Sequence, residues 1–300
     1  MALFDAVWKP MYIFDVLCST FCLVSLLLWA RGHWILSFVS FWLAFQSKEL
    51  AVMLPVVLVC YELWFGEGRW IRLVPFLAAA FSFALQARLM GPPSAAYTFH
   101  FTPAALAITA PFYAERVFLV PYLGFLLPLA AIVVRNRRTC FGLVMMGLLL
   151  FPLLFLPGRV FSAYCYLPFT GLAIALAGVM EAAKPAVIAV FFLLWTPWDI
   201  VWLRSQRTDT LRQDRDIREW ITTFGRFAPT ASGGHQFVYH RTPEGFHLFG
   251  VEGAVKYFLP YADVTVRPDD SPEGARLMQD GRTTVLWWDE GRHRLEIAKP

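Results

Sequence analysis

A polar Ser47-Lys48-Glu49 triplet interrupts an otherwise apolar run from Trp34 to Phe65. Charges set in such a run are costly unless they lie at a membrane surface, in a water-filled cavity or against a charged ligand. Four further residues can join them: Asp15, about one turn inside an apolar stretch, and Arg116, Arg159 and Tyr164 in or beside later ones. Lysine and arginine neutralise a leaving phosphate, and a carboxylate takes the proton of an incoming hydroxyl. Lys48, Arg116 and Arg159 would therefore bind an anion, with Glu49 and Asp15 as the candidate bases. At membrane depth the most available anion is a lipid phosphate.

Each of these residues has a plainer reading. Lys48 and Glu49 fit a solvated turn whose charges snorkel to the interface, at about even odds on the residues alone. Arg159 fits an interfacial anchor, and Tyr164 and Tyr166 fit the aromatic belt, which is the better reading of the tyrosines from spacing. Arg116 beside Glu115 reads as a helix-start ion pair, Asp15 as a helix N-terminal charge and His100 as an exposed loop residue.

These residues sit in a chain of 300 residues that is 58% hydrophobic and only 16% charged, far from the balance of a soluble domain. Apolar blocks of membrane-spanning length alternate with short basic loops and stop near Leu203. The expected fold is an α-helical polytopic membrane domain over residues 1–203, followed by a small extramembrane α/β domain over 204–300. The net charge of +4 lies in loops between spans, where topology accounts for it without nucleic acid. All five cysteines fall within or beside apolar segments, so neither a disulfide framework nor metal-ligand spacing is indicated. A divalent metal is compatible with this sequence, but no residue pattern supports one. Arginine far outnumbers lysine and Asn136 is the only asparagine, a bias that points to a GC-rich bacterial genome.

Met1 to Pro10 carries charges and is followed by no small-residue cleavage site, so the first span acts as its own insertion signal. This mildly amphipathic segment can lie in the interface. The expected spans are Met11 to Ala30; Trp34 to Gln46, short and ending at the recessed Ser47-Lys48-Glu49 site; Leu50 to Phe65; and Ile71 to Met90, stopped by Gly91-Pro92-Pro93. Ser94 to Pro111 reads as a loop. Phe112 to Val134 follows, kinked at Pro121 and Pro128, then Phe141 to Leu156, Leu167 to Met180 and Pro185 to Leu203, about eight in all. Counting lysine and arginine places the loops with Arg31, Arg69, Arg72, Arg135, Arg137, Arg138 and Lys184 in the cytoplasm. The triplet, the Arg159 to Tyr166 loop and the tail then share the periplasmic face of the inner membrane. The tail is expected to hold a helix over Arg204 to Arg226 capped by Gly225, a strand at Gln236 to His240 and a helix at Val251 to Leu259. Strands follow at Val264 to Arg267, Thr283 to Trp288 and Leu295 to Ala298.

Three segments resemble the polytopic GT-C glycosyltransferases, in particular bacterial relatives of the tetratricopeptide-linked O-mannosyltransferases. Gln46 to Glu62, QSKELAVMLPVVLVCYE, is similar to their "SKE, small apolar run, LP, apolar run, acidic" segment. Asp15 to Phe21 is similar to the start of their preceding span, and Tyr164-Cys165-Tyr166-Leu167-Pro168 to a later arginine-tyrosine-x-tyrosine-leucine-proline segment. The resemblance implies an enzyme that takes a sugar from a polyprenyl-phosphate donor and transfers it with inversion to a protein or glycan acceptor. By motif position Lys48 would sit near the donor phosphate, and Tyr164 and Tyr166 near the donor or acceptor cavity. Two departures accompany it. Ala163 stands where the family has arginine, so Arg159 would substitute from a turn away. The family's N-terminal span and the loop with its acidic catalytic motif have no counterpart: either the chain is an N-terminally shortened member, or a partner supplies the missing part, or Asp5, Asp15 or Glu49 takes over the role. The reading from another class is a non-catalytic membrane protein that binds a lipid-linked sugar or scaffolds a cell-envelope assembly. A transporter ranks last, because the halves show no repeat symmetry.

Overall fold

The computed structural model describes residues 9, 12–91, 97–230, 236–246, 248–260, 263–279 and 283–298. Asp5, Pro92, Pro93 and the Met1 to Pro10 segment apart from Lys9 lie outside the described residues. The chain divides into two compact units, Met1–Ile200 and Val201–Pro300.

The first unit is helical. Helices α1 (Ile13–Ala30) and α2 (Trp34–Ser47) form a hairpin that turns at Gly32, whose φ of 85° suits glycine. The hairpin is clasped by Ser25 and Ser37, each hydroxyl donating to the other's carbonyl oxygen at 2.8 Å. Such reciprocal bonds join apolar helices that gain little from hydrophobic contrast alone. Helix α2 stops where Lys48 becomes extended at φ −161°, ψ 143°. A 3-10 turn over Glu49–Met53 then leads into α3 (Leu54–Phe65), with Pro55 in its first turn, where the missing N–H costs nothing. After a short 3-10 turn at Trp70–Leu73 comes α4 (Val74–Met90), and Phe76 of α4 packs edge-on against Trp29 at 5.5 Å.

Residues 94 to 111, expected as a loop, include most of a helix instead. Thr102 caps α5 (Pro103–Phe118) by accepting from the Ala105 N–H, and Pro111 is carried inside the helix. The single kinked span expected over Phe112 to Val134 is likewise broken. Leu119 and Tyr122 take left-handed conformations around Pro121, and α6 (Leu127–Val134) leaves at 82° to α5. Asn136 caps α7 (Arg137–Leu150), so two of the basic residues expected in the preceding loop begin the helix. Helices α7 and α8 (Pro168–Ala182) approach closely through glycines: a Cβ on Gly142 would lie 2.4 Å from the Ala175 nitrogen, and one on Gly171 2.6 Å from that of Met146. Gly178 is pressed in the same way against Thr139.

Helix α9 is one continuous segment, Pro185–Phe227, and replaces the last span and separate tail helix expected on either side of Leu203. The composition turns polar there, but neither glycine nor proline occurs between Trp198 and Phe224, and arginine, glutamine and leucine sustain a helix. Gly225 is therefore not a C-cap. It lies inside the helix, where a Cβ would sit 2.7 Å from the Phe258 ring.

Among the described residues, four helical segments are long and apolar enough to cross a membrane: Ile13–Ala30, Trp70–Met90, Arg137–Phe155 and Pro185–Phe227. The bent pair α5 and α6 makes a fifth if it is one span. The eight spans expected are not shown. Helices α2 and α8, with 14 and 15 residues, rise only about 21–23 Å against a hydrocarbon core of about 30 Å.

In the second unit, a four-stranded sheet has the order β2-β1-β3-β4, from β1 (Gln236–His240), β2 (Thr265–Pro268), β3 (Thr284–Asp289) and β4 (Arg294–Ala298). Strands β2, β1 and β3 are parallel, and β4 closes a hairpin with β3. Helices α10 (Leu248–Phe258) and α11 (Pro272–Gln279) make the crossovers, α11 being one the periodicity did not indicate. Trp220, Phe224, Phe237, Val251, Val255, Leu286 and Trp288 form the core.

Candidate functional site

The break between α2 and α3 opens on a cavity of about 1040 Å³. Its polar wall comes from Gln46 and Ser47 at the end of α2, Lys48 and Glu49 in the turn, Gln86 and Arg88 of α4, and Arg159 and Tyr164 from a later loop. Phe45, Phe83, Phe99, Pro152, Leu153 and Leu156 line the rest. An ionic mouth beside an apolar chamber suits an amphiphile with an anionic head.

Lys48 is fixed from several sides. Its ammonium pairs with Asp15, which is only 5% exposed, and lies 4.5 Å from the centre of the Tyr164 ring. The Lys48 carbonyl accepts from the Ala51 N–H at 3.3 Å and takes a long 3.8 Å contact from the Cys18 thiol. Asp15 lies in the first turn of α1, as its plainer reading has it, and α1 also presents it to the lysine at the end of α2. Glu49 is exposed and faces the cavity.

Arg159 is held differently. Its guanidinium lies over Tyr97 at 4.1 Å, Phe161 at 5.7 Å and Tyr164 at 5.8 Å, and no carboxylate among the described residues pairs with it. Aromatic faces attract the cation without cancelling its charge. Burial pushes the Tyr164 phenol up to about 12, so its hydroxyl stays protonated at neutral pH and available as a donor. Three lining cations, Lys48, Arg88 and Arg159, face Glu49 and the Asp15 behind Lys48, which leaves a positive balance for an anion.

The structure therefore brings together Lys48, Glu49, Asp15, Arg159 and Tyr164. It does not bring Arg116 or Tyr166 to the cavity wall. Arg116 stacks on Phe112 at 4.5 Å and lies 3.8 Å from Glu115, an ion pair as its plainer reading has it, but in the last turn of α5 and not at a helix start. Tyr166 begins the turn into α8 through its N–H to the Ala163 carbonyl. Sequence reasoning passed over Arg88 and Tyr97 as site residues, and nothing in their local pattern marks them. It also passed over Glu62, a carboxylate only 4% exposed in an apolar helix, which is itself a signal. Glu62 accepts from the Trp29 indole at 2.7 Å and from the Arg69 N–H at 3.1 Å, while the Arg69 guanidinium donates to the Trp29 carbonyl at 3.2 Å. This second polar knot is satisfied within the protein, lines no part of the cavity and reads as structural. Among the described residues, no group of three His, Cys, Asp or Glu side chains could hold a metal ion.

No family model, curated protein or solved structure matches the chain. Fold and site define a mostly helical protein with several helices of transmembrane length and apolarity, and a small four-stranded sheet.

Proposed function

We propose that the chain is a GT-C-type glycosyltransferase of the bacterial inner membrane, using a polyprenyl-phosphate sugar at the α2–α3 break. The observation that carries this is the meeting of Lys48, Arg159, Glu49 and Tyr164 at one apolar cavity, since the donor is a phosphate on an apolar tail. In this reading the longer helices span the bilayer and the shorter ones enter it part-way toward the recessed site. The surplus of basic residues at the opposite loops supports an orientation with the cavity on the periplasmic side.

Arg159 is the principal phosphate anchor in this mechanism, because the charge of Lys48 is already matched by Asp15. Glu49 is the base, as the carboxylate among the described lining residues, and Asp15 positions Lys48. The acceptor hydroxyl attacks the anomeric carbon as its proton passes to Glu49. The bond from that carbon to the phosphate oxygen breaks, and the polyprenyl phosphate leaves with the electron pair, its charge met by Arg159 and Lys48. Attack opposite the leaving group inverts the anomeric centre.

The test is native mass spectrometry and turnover of the full chain in nanodiscs with a polyprenyl-phosphate sugar. Removing a charge-assisted contact of about 1.5–3 kcal/mol weakens binding about 10- to 100-fold. Arg159→Ala is expected to reach that range, Lys48→Ala to fall short of it, and Glu49→Gln to bind donor without transfer. Absence of a donor adduct would sink the reading. Unchanged turnover in both Glu49→Gln and Asp15→Asn would exclude these carboxylates as bases. The non-catalytic alternative draws on the engagement of Asp15 with Lys48, which leaves a single exposed carboxylate at the cavity, and it predicts donor binding with no transfer in any variant.

A further inference from the structure

The second unit carries a polar cluster that the membrane cavity does not use. His240 ends β1, and its Nδ1 pairs with Asp269, which follows β2 and is fixed there by its own N–H to the Tyr239 carbonyl at 3.1 Å. On the other side, Trp287 of β3 is the register partner of His240, with ring centres 4.4 Å apart. Three adjacent parallel strands thus each place one residue at their carboxyl ends. Trp287 is 49% exposed, and His240 and Asp269 are 32% and 29% exposed. The imidazole Nε2 makes no hydrogen bond to any described residue.

The topology makes this a crevice. The chain steps from β1 to β2 in one direction and from β2 across β1 to β3 in the other. Right-handed crossovers then lay α10 and α11 on opposite faces. Consistent with this, α10 supplies Val251 and Val255 to the core beside Leu286 and Trp288, whereas α11 has no residue there and presses Gly274 onto the Pro268 carbonyl. Where neighbouring strands send their loops to opposite faces, a cleft opens at the carboxyl ends, the usual ligand position in open α/β sheets. His240 and Asp269 stand on its two sides. The walls are tightly built: Arg241 turns the chain at φ 55°, and the Ser271 hydroxyl bridges the Pro268 carbonyl at 2.7 Å and the Gly274 N–H at 2.9 Å.

We propose that this crevice is a second binding site and that its ligand is a carbohydrate. Trp287 offers a flat apolar face to the C–H side of a sugar ring. The His240 Nδ1–H donates to Asp269, so the Nε2 and the second carboxylate oxygen are left to accept hydrogen bonds from ring hydroxyls. Three arginines on the neighbouring segments already have carboxylate partners, which limits their pull on an anion. Arg241 faces Glu290 at 3.8 Å, Arg267 sits between Glu252 and Glu273, and Arg292 lies between Asp289 and Glu296. The inference rests on the second unit alone and stands whether or not the membrane cavity takes a lipid-linked sugar.

The experiment is saturation-transfer NMR on the full chain in nanodiscs with cellotriose, mannotriose and chitotriose as probes. At least one is expected to receive transfer, lost in Trp287→Ala and in His240→Ala and kept in Trp287→Phe, with circular dichroism matching the parent in each. Added polyprenyl phosphate is expected to leave the signal intact, which separates this site from the membrane cavity. No transfer to any of the three sugars, transfer that survives both alanine variants, or loss of transfer on adding polyprenyl phosphate would overturn the proposal. So would binding of AMP with none of the sugars, which would give the crevice to a stacked anionic ligand.

Discussion

Replacing Lys48 by methionine keeps the length of the side chain and removes its charge, stranding the Asp15 carboxyl in a site where it is only 5% exposed. Loss of one partner of a buried pair costs about 3–5 kcal/mol, because the remaining charge has neither water nor counter-ion. For a unit of about 200 residues, where 1 kcal/mol moves the midpoint by about 2–4 °C, the loss corresponds to about 6–20 °C. Asp15→Asn should cost less, since the lysine left behind is 16% exposed and can turn into the cavity. The double variant Asp15→Leu/Lys48→Met should recover most of the loss, because replacing a whole buried pair by apolar groups is often near neutral. The assay is a double-mutant cycle on thermal unfolding midpoints in one detergent. The pair is expected to show coupling at or above the upper part of the usual range of about 0.5–3 kcal/mol. A Lys48→Met midpoint equal to that of the parent, or a double variant that loses the sum of the singles, would refute the claim that Asp15 and Lys48 form a buried pair.

Two further stability predictions concern the same unit. Glu62→Leu strands the Trp29 indole and the Arg69 N–H, at about 1–3 kcal/mol for each lost partner, while Glu62→Gln keeps one acceptor oxygen and should lose less; unfolding midpoints would rank them. Gly142→Val drives a side chain into the α8 backbone and should cost about 1–3 kcal/mol or more. Gly147→Ala, where a Cβ meets nothing within 4 Å, should be neutral or gain up to about 1 kcal/mol in helix propensity. Equal midpoints for the two glycine variants would remove the close α7–α8 approach as an explanation.

The Ser47-Lys48-Glu49 break was legible from the sequence because charge inside an apolar run is expensive and must mark an end, a cavity or a ligand. The four strands were legible because short β-branched and aromatic runs stood between turn residues. What misled was punctuation. Pro111 read as the end of a loop and Gly225 as a C-cap, but proline and glycine act through the backbone geometry and neighbours they meet. Pro111 is carried within α5, and Gly225 is needed for the close approach of Phe258. The change to polar residues after Leu203 read as a boundary, yet polarity alone does not end a helix built of good helix formers.

By itself, then, the sequence determined the local terms: where apolar surface is concentrated, where charge interrupts it, and which short segments favour a strand. Tertiary structure alone decided the pairings. Asp15 meets Lys48 across 33 residues, Glu62 meets Trp29 across the same separation, and His240 meets Asp269 across 29. None of these has a local signature, because the energy of a buried charge or hydrogen bond depends on what packing brings within about 3 Å of it, and helix periodicity records only which face is apolar.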